Sequence, residues 1–541
     1  MTDIVDEIKK INYLSINNCH LVVQNIPLNL FKNCKEEEIK NKLNLILETI
    51  HLLKDKINNT IIIDLILEKE KENELPQEVS FYQYFLLVFY SFVNIYYTDN
   101  QFVLIRFPQL FPIETAKINF DFSLQLNLSN KEINIKEKKF IFTNLKFDLL
   151  NIFEKIIAQI DEAYLLKNCK LFQYNYTCLA GTFDRCHRGH YFFIQTSLMA
   201  SKKQCFIGAC SDEMIKHKGP FSLIQTNYVR KKKLEEVVET NGHNSENCKY
   251  NVSTIYDTVD MAGFQEDLDC LIVTSETYKG GLYCNEVRKK NKIKPVELLT
   301  VNVIKINLNE ENKISSSIIR KKILESICIE KINKICTDFR NLCKDIQCEN
   351  DDLVNYWWHE ILNHYTKKWK YYHNLNHIYS FIELYEKYNY LIQKEKNEFL
   401  ISIFFHDIIY VPSRNDNEKE SIRIFNEFYK EVKPKNLNEK KVKELIIETE
   451  NHLLNKDYED DINLFLDMDM QIVAEENWED YENKIRKEYC FVDLNTYKAK
   501  RKEFLEGLEK KEKIFRTKTF YDQYEKIARS NIGKIIEKLS N

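Results

Sequence analysis

Glycine is scarce in this chain: only ten of its 541 residues are glycine. Eight of the ten lie between Gly181 and Gly281, and the other two are Gly507 and Gly533. Loops that bring the backbone close to a ligand need glycine. We therefore expect phosphate or nucleotide chemistry in the middle third of the chain. The last third, from about residue 350, has almost no glycine and long helical patterns, which predict an all-α domain.

Paired cysteines and a strong charge of one sign are also absent. The fifteen cysteines include no CxxC pair, and their spacing is typical of neither a disulfide framework nor a zinc site. Reduced thiols are expected in such a chain, which predicts a cytoplasmic location. The formal net charge of −4 gives no reason to expect nucleic acid or an anionic membrane as a partner. No pattern indicates an oligomeric state.

No uninterrupted apolar run reaches the roughly 18 to 20 residues that a membrane-spanning helix needs. The longest candidate is FYQYFLLVFYSFVNIYY at 81–97, which Gln83, Ser91 and Asn94 interrupt. This segment predicts a buried, aromatic-rich helix. The amino terminus, MTDIVDEIKKIN, lacks the apolar run of a signal peptide. Together these features predict a protein without a membrane partner.

The first third is predicted to be an α/β domain over residues 1–168. Short β-branched runs, HLVVQNI, NTIIIDLIL and QFVLIRF, alternate with charge-bearing segments, as a parallel sheet requires. FDFSLQLNLS at 120–129 alternates with period two, which predicts a half-exposed strand. No cluster of ionisable residues stands out before residue 170, so no chemistry is assigned to this domain.

The middle third contains one stretch with two of the ten glycines and two of the twelve histidines, CLAGTFDRCHRGHYFFI at 178–194. A β-prone segment precedes it and a helix-like segment follows, so the pattern predicts a strand-to-helix turn. The N–H groups and dipole of a helix amino terminus suit a phosphate. His187 and His190, three residues apart, are expected to point the same way. Chance yields H-x-G-H about 0.005 times per chain of this composition, although a histidine-bearing turn could also simply cap a buried helix.

A second motif, KISSSIIR at 313–320, places three serines before an apolar pair and an arginine. This order predicts a helix amino terminus. Its hydroxyl and N–H groups could hold the far phosphates of a nucleotide, with Arg320 or Lys313 adding charge. By itself the motif is also compatible with an ordinary helix cap.

The two motifs resemble the two signatures of the HxGH nucleotidyltransferase superfamily. Four segments between them extend the resemblance to the eukaryotic type of pantetheine-phosphate adenylyltransferase, the first activity of bifunctional coenzyme A synthase. The segments are CFIGACSDEMIKHK (205–218), SLIQTNYVRKKKLEEVV (222–238), IYDTVDMAG (255–263) and IVTSETYKGGLYCNEVRKKNKIKPVEL (272–298). The resemblance covers residues 170–330 and implies a doubly wound parallel sheet that binds ATP at the carboxyl ends of its strands.

The resemblance also implies a reaction and a set of residue roles. The reaction is transfer of the adenylyl group of ATP, with Mg²⁺, to 4′-phosphopantetheine, which releases pyrophosphate and dephospho-coenzyme A. The implied catalytic residues are His190, His187, Thr182 and Arg320; the implied nucleotide-binding residues are Gly181, Thr182, Phe183, Gly189, His190, Ser315, Ser316 and Ser317. Lys216, Lys218 and Arg230 are candidates for acceptor contacts or, alternatively, solvated surface charges.

The chain departs from the family pattern at two points. Tyr191 follows the second histidine where relatives often carry a lysine. The chain also lacks the glycine-rich loop ending in Gly-Lys-Ser/Thr that a dephospho-coenzyme A kinase domain needs. The expected product is therefore dephospho-coenzyme A, and another protein would supply the kinase step.

Beyond a predicted helical linker at 331–350, residues 351–541 contain histidines and carboxylates inside apolar helical patterns. The pieces are YYHNLNHIYSF at 371–381, FFHDIIY at 404–410, His452, and FLDMDMQIV at 465–473. Buried ionisable groups of this kind must be paired or bound to metal. Mixed His/Asp ligands suit a divalent transition metal that lowers the pKa of bound water. Core histidines bonded to neighbouring carboxylates are the alternative.

Trp358 through Asn531 resembles the predicted metal-dependent HD-domain phosphohydrolases. The ligand order of that family implies His377, His406, Asp407 and Asp469 as ligands of Mn, Fe, Ni, Co or Zn, with His373, His452 and Asp467 less certain. Asn417, Glu418 and Ser421 are expected to line the same pocket. The implied substrate is a phosphorylated small molecule that the sequence does not identify.

Three hypotheses thus compete. The first is an adenylyltransferase of coenzyme A synthesis joined to a metal-dependent phosphohydrolase. The second keeps the HxGH chemistry with another phosphorylated acceptor, and the SETYKGG segment argues against it. The third is a regulatory protein with a degenerate site, which the intact motifs disfavour.

Overall fold

In the computed structural model of the protein, the chain forms two compact units, Met1–Lys321 and Lys322–Asn541. The described residues are 16–26, 42–43, 45–47, 49–50, 53, 57–67, 76–96, 102–108, 122–127, 132–135, 138–141, 156, 169–220, 222–241, 248–301, 315–367, 369–412, 414–453, 458–490 and 492–540.

The first unit begins with a six-stranded sheet in the order β3-β2-β1-β4-β5-β6. Strands β1 to β4 pair in parallel, and β5 and β6 are added in antiparallel fashion. The predicted β-branched runs form β1, β2 and β3, and FDFSLQLNLS contains β4. The elements are β1 (Ile16–Ile26), β2 (Ile57–Leu67), α1 (Val79–Tyr96), β3 (Phe102–Arg106), β4 (Phe122–Asn127), β5 (Glu132–Ile135) and β6 (Lys138–Ile141).

Helix α1 is the aromatic segment that the sequence predicted to be buried, and the prediction is confirmed. Tyr82, Phe85, Phe89 and Phe92 are almost fully shielded from solvent. No helix within the described part of the chain has both the length and the apolar character needed to cross a bilayer. The aromatic side chains instead belong to a hydrophobic core that also contains Ile194, a residue of the middle third.

A second sheet of the same unit has five strands, all parallel, in the order β11-β10-β7-β8-β9. The chain moves outward from β7 to β9 and then returns to the other side of β7, so the strand order reverses between β7 and β10. Open α/β sheets bind ligands at the carboxyl ends of the strands beside such a reversal. The elements are β7 (Tyr174–Gly181), α2 (Arg188–Ala200), β8 (Ser201–Cys210), α3 (Asp212–Ile215), α4 (Asn227–Thr240), β9 (Lys249–Ile255), α5 (Asp260–Phe264), β10 (Cys270–Thr274), α6 (Tyr278–Lys290), β11 (Glu297–Val301) and α7 (Ser316–Ser326).

The second unit is helical throughout its described residues, as the low glycine content predicted. Helix α8 contains most of the predicted linker, and its Ile332, Phe339 and Leu342 are buried in the bundle. The helices are α8 (Ile329–Asp345), α9 (Asp351–Tyr365), α10 (Leu375–Tyr388), α11 (Lys396–Phe405), α12 (Asn417–Val432), α13 (Glu439–Glu448), α14 (Asp460–Met470), α15 (Trp478–Glu488), α16 (Leu494–Glu509) and α17 (Lys518–Ser540).

Candidate functional sites

The turn between β7 and α2 lies beside the strand-order reversal of the five-stranded sheet. Gly181 ends the strand, and Thr182 follows it half-buried. Phe183 and Arg185 adopt left-handed backbone conformations with φ of 53° and 47°. These conformations turn the chain sharply, so that the helix starts directly above the end of the central strand.

The two histidines of the motif stack on each other at the start of α2. Their ring centroids are 3.8 Å apart and their planes differ by 22°. The backbone N–H of His187 donates to Nδ1 of His190 at 3.3 Å. A neutral His190 ring therefore carries its proton on Nε2, which makes Nε2 a donor suited to a phosphate oxygen. Phe183 packs against this ring at 5.3 Å, and Gly189 is half-buried between the histidines.

The serine motif begins α7 and is bonded to the histidine turn. Ser316 Oγ donates to the backbone carbonyl of Asp184 at 2.5 Å, and Ser315 Oγ accepts from the N–H of Ile318 at 3.4 Å. The structure thus brings the two motifs together although about 125 residues separate them in sequence. Lys313, the other predicted source of charge, lies outside the described residues.

Arg320 is buried beneath this helix start. Its guanidinium forms an ion pair with the carboxylate of Asp184 and donates to Ser317 Oγ at 3.1 Å. Asp184 also accepts from the N–H of Gln225 at 3.0 Å. Asp184 lies inside the GTFDRC motif, but its partner is so far away along the chain that the sequence indicated no role for it.

The three predicted acceptor residues occupy different environments. Lys218 Nζ donates to Thr182 Oγ1 at 2.6 Å, so it lies at the mouth of the site. Arg230 is fully buried, donating to the carbonyl of Thr182 at 2.8 Å and to the carboxylate of Asp212 at 2.7 Å. Lys216 is mostly exposed and pairs with Glu213. Lys216 and Lys218 are both exposed, but of these two only Lys218 bonds to Thr182 of the histidine turn.

The SETYKGG segment follows the carboxyl end of β10 and begins α6, and the NEVR segment lies within α6. The backbone N–H of Thr274, at the end of β10, donates to Thr277 Oγ1 at 2.9 Å. A side chain at Gly281 would approach Leu298 to 3.1 Å, so glycine allows α6 to pack closely on β11. Arg288 is buried and donates to the carbonyls of Lys294, Ala262 and Gln265. The NEVR arginine therefore organises the loops on which α6 rests.

In the helical unit, side chains from α10, from α14 and from the turn directly after α11 converge on one point. One ligand atom from each of His377, His406, Asp407 and Asp469 lies within 4.8 Å of the others. The two Nε2 atoms face each other at 3.0 Å. Asp407 Oδ2 is 3.2 Å from His406 Nε2, and Asp469 Oδ1 is 3.4 Å from His377 Nε2. We call these four residues the quartet.

The electrostatics of the quartet favour a cation. Burial acts to lower the pKa of His406, but the charges and hydrogen bonds of Asp407 and Asp469 outweigh it and raise the pKa to about 10. His406 Nδ1 lies 3.0 Å from the carbonyl of Ile403, which holds a proton on Nδ1, so Nε2 is the atom that would bind a metal in place of its own proton. Lys370 donates to the carbonyl of Asp407 at 2.7 Å, and burial lowers the pKa of its ammonium to about 7.

The less certain ligand candidates have other partners. His373 Nδ1 is 2.7 Å from Glu488 Oε2, and its ring stacks on Tyr410 at 3.5 Å. Burial opposes protonation of His373, but the charge and hydrogen bond of Glu488 prevail and raise its pKa. His452 Nε2 is 3.0 Å from Asp469 Oδ2, where it supports that carboxylate from the side away from the quartet histidines.

Asp467 lies apart from the quartet. Its carboxylate accepts the backbone N–H groups of Arg516 and Thr517 at 2.7 Å each. Burial raises its pKa to about 6 although these hydrogen bonds act to lower it. Residues two apart on a helix point in different directions, so only Asp469 reaches the quartet.

The three predicted pocket residues of α12 also differ in their contacts. The Asn417 side chain accepts from the N–H of Val411 and donates to the carbonyl of the same residue. The Ser421 hydroxyl likewise accepts from the N–H of Ile409 and donates to its carbonyl. Both therefore shape the segment that follows the His-Asp pair. Glu418 is half-buried, and burial followed by the negative charges of Asp407 and Glu450 raises its pKa.

Comparisons with known proteins concern the five-stranded part of the first unit. Residues 178–322 match the family described as cytidylyltransferase-like. A phosphopantetheine adenylyltransferase of Thermococcus kodakarensis is 33% identical over 153 residues, which cover 28% of this chain and 88% of that relative. A phosphopantetheine adenylyltransferase of Thermococcus gammatolerans is 30% identical over 152 residues, which cover 28% of this chain and 91% of that relative.

A more distant relative is the phosphopantetheine adenylyltransferase of Saccharomyces cerevisiae, 25% identical over 158 residues that cover 28% of this chain and 50% of that protein. The family match ends at residue 322, where the helical unit begins. The five parallel strands, the stacked histidines and these relatives agree with one another. Through a nucleotidyltransferase domain that includes residues 178–322, the chain belongs to the phosphopantetheine adenylyltransferase family.

Proposed function

We propose that the nucleotidyltransferase domain transfers the adenylyl group of ATP to 4′-phosphopantetheine, giving dephospho-coenzyme A and pyrophosphate. The observation that carries the proposal is the stacked pair His187 and His190 beside the serine start of α7. The relatives' names support the acceptor, and the SETYKGG segment supports it further. The histidine motif follows the carboxyl end of β7, and the serine motif is bonded to it, at the edge of the sheet where a nucleotide binds in folds of this type.

In the proposed reaction, a phosphate oxygen of 4′-phosphopantetheine bonds to the α-phosphorus of ATP. The bond between the α-phosphorus and the oxygen bridging to the β-phosphorus breaks, and pyrophosphate leaves with that electron pair. No covalent intermediate on the protein is required, so catalysis depends on positioning and on stabilising the developing charge. When bound with ATP, Mg²⁺ would neutralise phosphate charge.

The chain's own residues divide this work. His190 and His187 donate to the phosphates around the reacting phosphorus. Thr182, with Lys218 bonded to its hydroxyl, anchors the attacking phosphate. Ser315, Ser316 and Ser317 offer the amino terminus of α7 to the β- and γ-phosphates. Arg320 is engaged by Asp184, so we assign to it the task of holding that helix start beside the histidines.

An assay of the full-length protein with ATP, Mg²⁺ and 4′-phosphopantetheine tests this proposal. Dephospho-coenzyme A should appear by mass spectrometry in equal amount to pyrophosphate. Nicotinamide mononucleotide as acceptor and CTP as donor should give at least about a hundred-fold less pyrophosphate. A reversed preference would establish another acceptor, and no turnover with any pair would favour a regulatory protein with a degenerate site.

Variants connect the activity to the histidine turn. His190→Ala should reduce kcat by about 100-fold or more, because removing one donor to developing charge typically costs 10²–10³ in rate. His217→Ala is the matched control, since His217 belongs to the same domain and is exposed; it should retain normal turnover. Equal activity of the His190 variant and the wild type would contradict the assignment.

We further propose that the helical unit is a metal-dependent phosphohydrolase. The quartet supports this proposal, because two imidazole nitrogens and two carboxylate oxygens face one another within 4.8 Å. Nitrogen and oxygen donors of this kind suit Mn, Fe, Ni, Co or Zn. The proton position of His406, set by the carbonyl of Ile403, also fits a metal ligand.

His377, His406, Asp407 and Asp469 would hold the ion, and His452 and Lys370 would orient two of these ligands. A bound metal of this class lowers the pKa of coordinated water and so supplies hydroxide at neutral pH. The residues around it fix the ligand atoms: Lys370 holds the backbone of Asp407, and His452 restrains Asp469.

Metal analysis of the purified full-length protein tests this second proposal. About one equivalent of a divalent transition metal should be retained by the wild type and lost from His406→Ala. His373→Gln is the matched control, since His373 is paired with Glu488, and it should retain the metal. A phosphate-ester panel with each divalent ion should then show hydrolysis by the wild type and none by His406→Ala; no hydrolysis by the wild type with any ion would contradict the proposed activity.

A further inference from the structure

A cavity of about 390 Å³ in the helical unit opens directly onto the quartet, with His377 and Asp469 in its wall. Its remaining wall comes from α10 and the segment before it, from the end of α14 and the segment after it, and from α15. A volume of this size holds a small molecule. The cavity is therefore the place for the body of any ligand whose reacting group lies at the quartet.

The charges of the cavity wall are predominantly negative. Glu383, Glu475 and Asp480 line it in addition to Asp469, and apart from His377 of the quartet Lys484 is the one basic residue among the described lining residues. Lys484 is already paired with Asp480 at 2.5 Å. No arginine is found among the described residues that line the cavity. Multiply charged phosphate ligands usually require clusters of arginine or lysine, which this wall lacks.

The uncharged part of the wall suits hydrogen-bonding groups. Ser380 and Asn477 contribute a hydroxyl and an amide, and Gln471 donates to Glu475 at 2.9 Å. Tyr372 and Tyr481 add aromatic faces, with ring centroids 4.9 Å apart. Hydroxyl, amide and amine groups of a ligand can bond to such a wall without a charge conflict.

From this distribution we infer the substrate class of the helical unit: a phosphomonoester with a single phosphate whose body is uncharged or cationic and carries hydroxyl, amide or amine groups. This inference rests on the proposed hydrolase function. The phosphate lies at the quartet, and the body lies in the cavity. In the reaction a water oxygen bonds to phosphorus and the ester P–O bond breaks, giving an alcohol and inorganic phosphate. A second phosphate on the body would meet Glu383, Glu475 and Asp480 and is rejected.

Two esters with the same body test the inference in the full-length protein. Fructose 6-phosphate and fructose 1,6-bisphosphate differ by one phosphate, and phosphocholine supplies a cationic body. None of the three contains adenine, so none should bind at the proposed nucleotide site. Phosphate release is measured with added metal, and equilibrium binding is measured separately with chelator-treated protein. The monophosphates should be preferred at least ten-fold in kcat/KM and should bind more tightly in the metal-free protein.

A triple variant, Glu383→Gln, Glu475→Gln and Asp480→Asn, should reduce the preference at least three-fold. The control is Glu503→Gln, Glu512→Gln and Glu537→Gln, which changes the net charge equally at exposed positions outside the lining; it should leave the preference unchanged. An unchanged preference in the cavity variant would overturn the charge argument.

The other outcomes separate this inference from the hydrolase proposal. Equal or better hydrolysis and binding of the bisphosphate overturns the substrate class while hydrolysis stands. Selective binding of monophosphates without turnover supports the ligand class and refutes hydrolysis. If no ester binds and none is hydrolysed, both the substrate class and the hydrolase proposal are overturned.

Discussion

Arg320 forms a buried ion pair with Asp184, a residue 136 positions earlier in the sequence. The carboxylate lies in the histidine turn, and the guanidinium lies on the helix that the serine motif begins. Because Asp184 also accepts from the N–H of Gln225, one side chain connects its own turn, the loop before α4 and helix α7. The relative position of the histidine motif and the serine motif therefore depends on this pair.

Breaking the ion pair should destabilise the first unit. Asp184→Asn and Arg320→Met should each cost about 3–5 kcal/mol in free energy of unfolding, because each leaves a buried partner without compensation. The double variant should cost less than the sum of the two, by about 1–3 kcal/mol, since neighbouring residues are coupled. Urea unfolding of all four proteins measures this cycle, and strictly additive losses would show that the pair contributes no coupling.

A second prediction concerns the contact between α1 and α2. Tyr90 Oη donates to Gln195 Oε1 at 2.8 Å, and both side chains are buried. Tyr90→Phe should cost about 1–3 kcal/mol because the amide oxygen loses its donor in a place that water does not reach. Thermal unfolding measures the loss.

Tyr82→Phe is the matched control for this prediction. The Tyr82 hydroxyl donates to the half-buried carbonyl of Pro76 at 2.9 Å, and water can replace it there. The control should cost less than about 1 kcal/mol. Equal losses in the two variants would contradict the role assigned to the α1–α2 contact.

The pH dependence of stability should reveal a buried charge cluster on the six-stranded sheet. Burial acts to raise the pKa of Asp64, but hydrogen bonds from His20 and Arg106 and the charge of Arg106 outweigh it, so the pKa lies below its ordinary value of 3.8. A depressed carboxylate pKa adds stability that is fully present above the ordinary value and is lost as the pH falls through the folded value. Asp64→Asn should therefore be most destabilising above pH 5, with a difference that shrinks in acid.

Unfolding of the wild type and the Asp64 variant between pH 3 and pH 7 checks this sign. Asp267→Asn is the control, because Asp267 is exposed; it should change stability by no more than about 0.5 kcal/mol at any pH. A wild-type advantage over Asp64→Asn that stays constant down to pH 3 would refute the argument.

The two aspartates of the DMDM segment should behave differently. Asp469→Asn should abolish metal retention, because Asp469 belongs to the quartet. Asp467→Asn should retain the metal but destabilise the helical unit, since its carboxylate accepts the N–H groups at the start of α17. Metal content and thermal unfolding of both variants decide the matter, and loss of metal from the Asp467 variant would mean that the quartet is incomplete.

Local patterns predicted most of the elements. The β-branched runs form β1, β2 and β3, the interrupted aromatic segment forms α1, and the histidine motif lies between β7 and α2. These predictions depend on the period of apolar residues and on the turn residues between them, which are properties of neighbouring positions. The same logic predicted that His187 and His190 would face the same way, since both lie within one helical turn.

Long-range partners were not predictable in this way. Asp64, Arg106 and His20 lie on three different strands and form one buried cluster, although no ionisable cluster is visible in that part of the sequence. Similarly, Glu488 lies 115 residues from the histidine that it binds. Such pairs depend on strand order and helix packing, which spacing along the chain does not encode.

The sequence by itself determined the chemical inventory of this protein: the histidine and serine motifs, the histidines and aspartates of the helical unit, and the elements that carry them. Only the tertiary structure decided how each ionisable side chain is used. In the folded chain Arg320 pairs with Asp184, Asp469 and not Asp467 belongs to the quartet, and His373 bonds to Glu488. The physical reason is that a buried charge must have a partner, and packing determines which partner lies within reach.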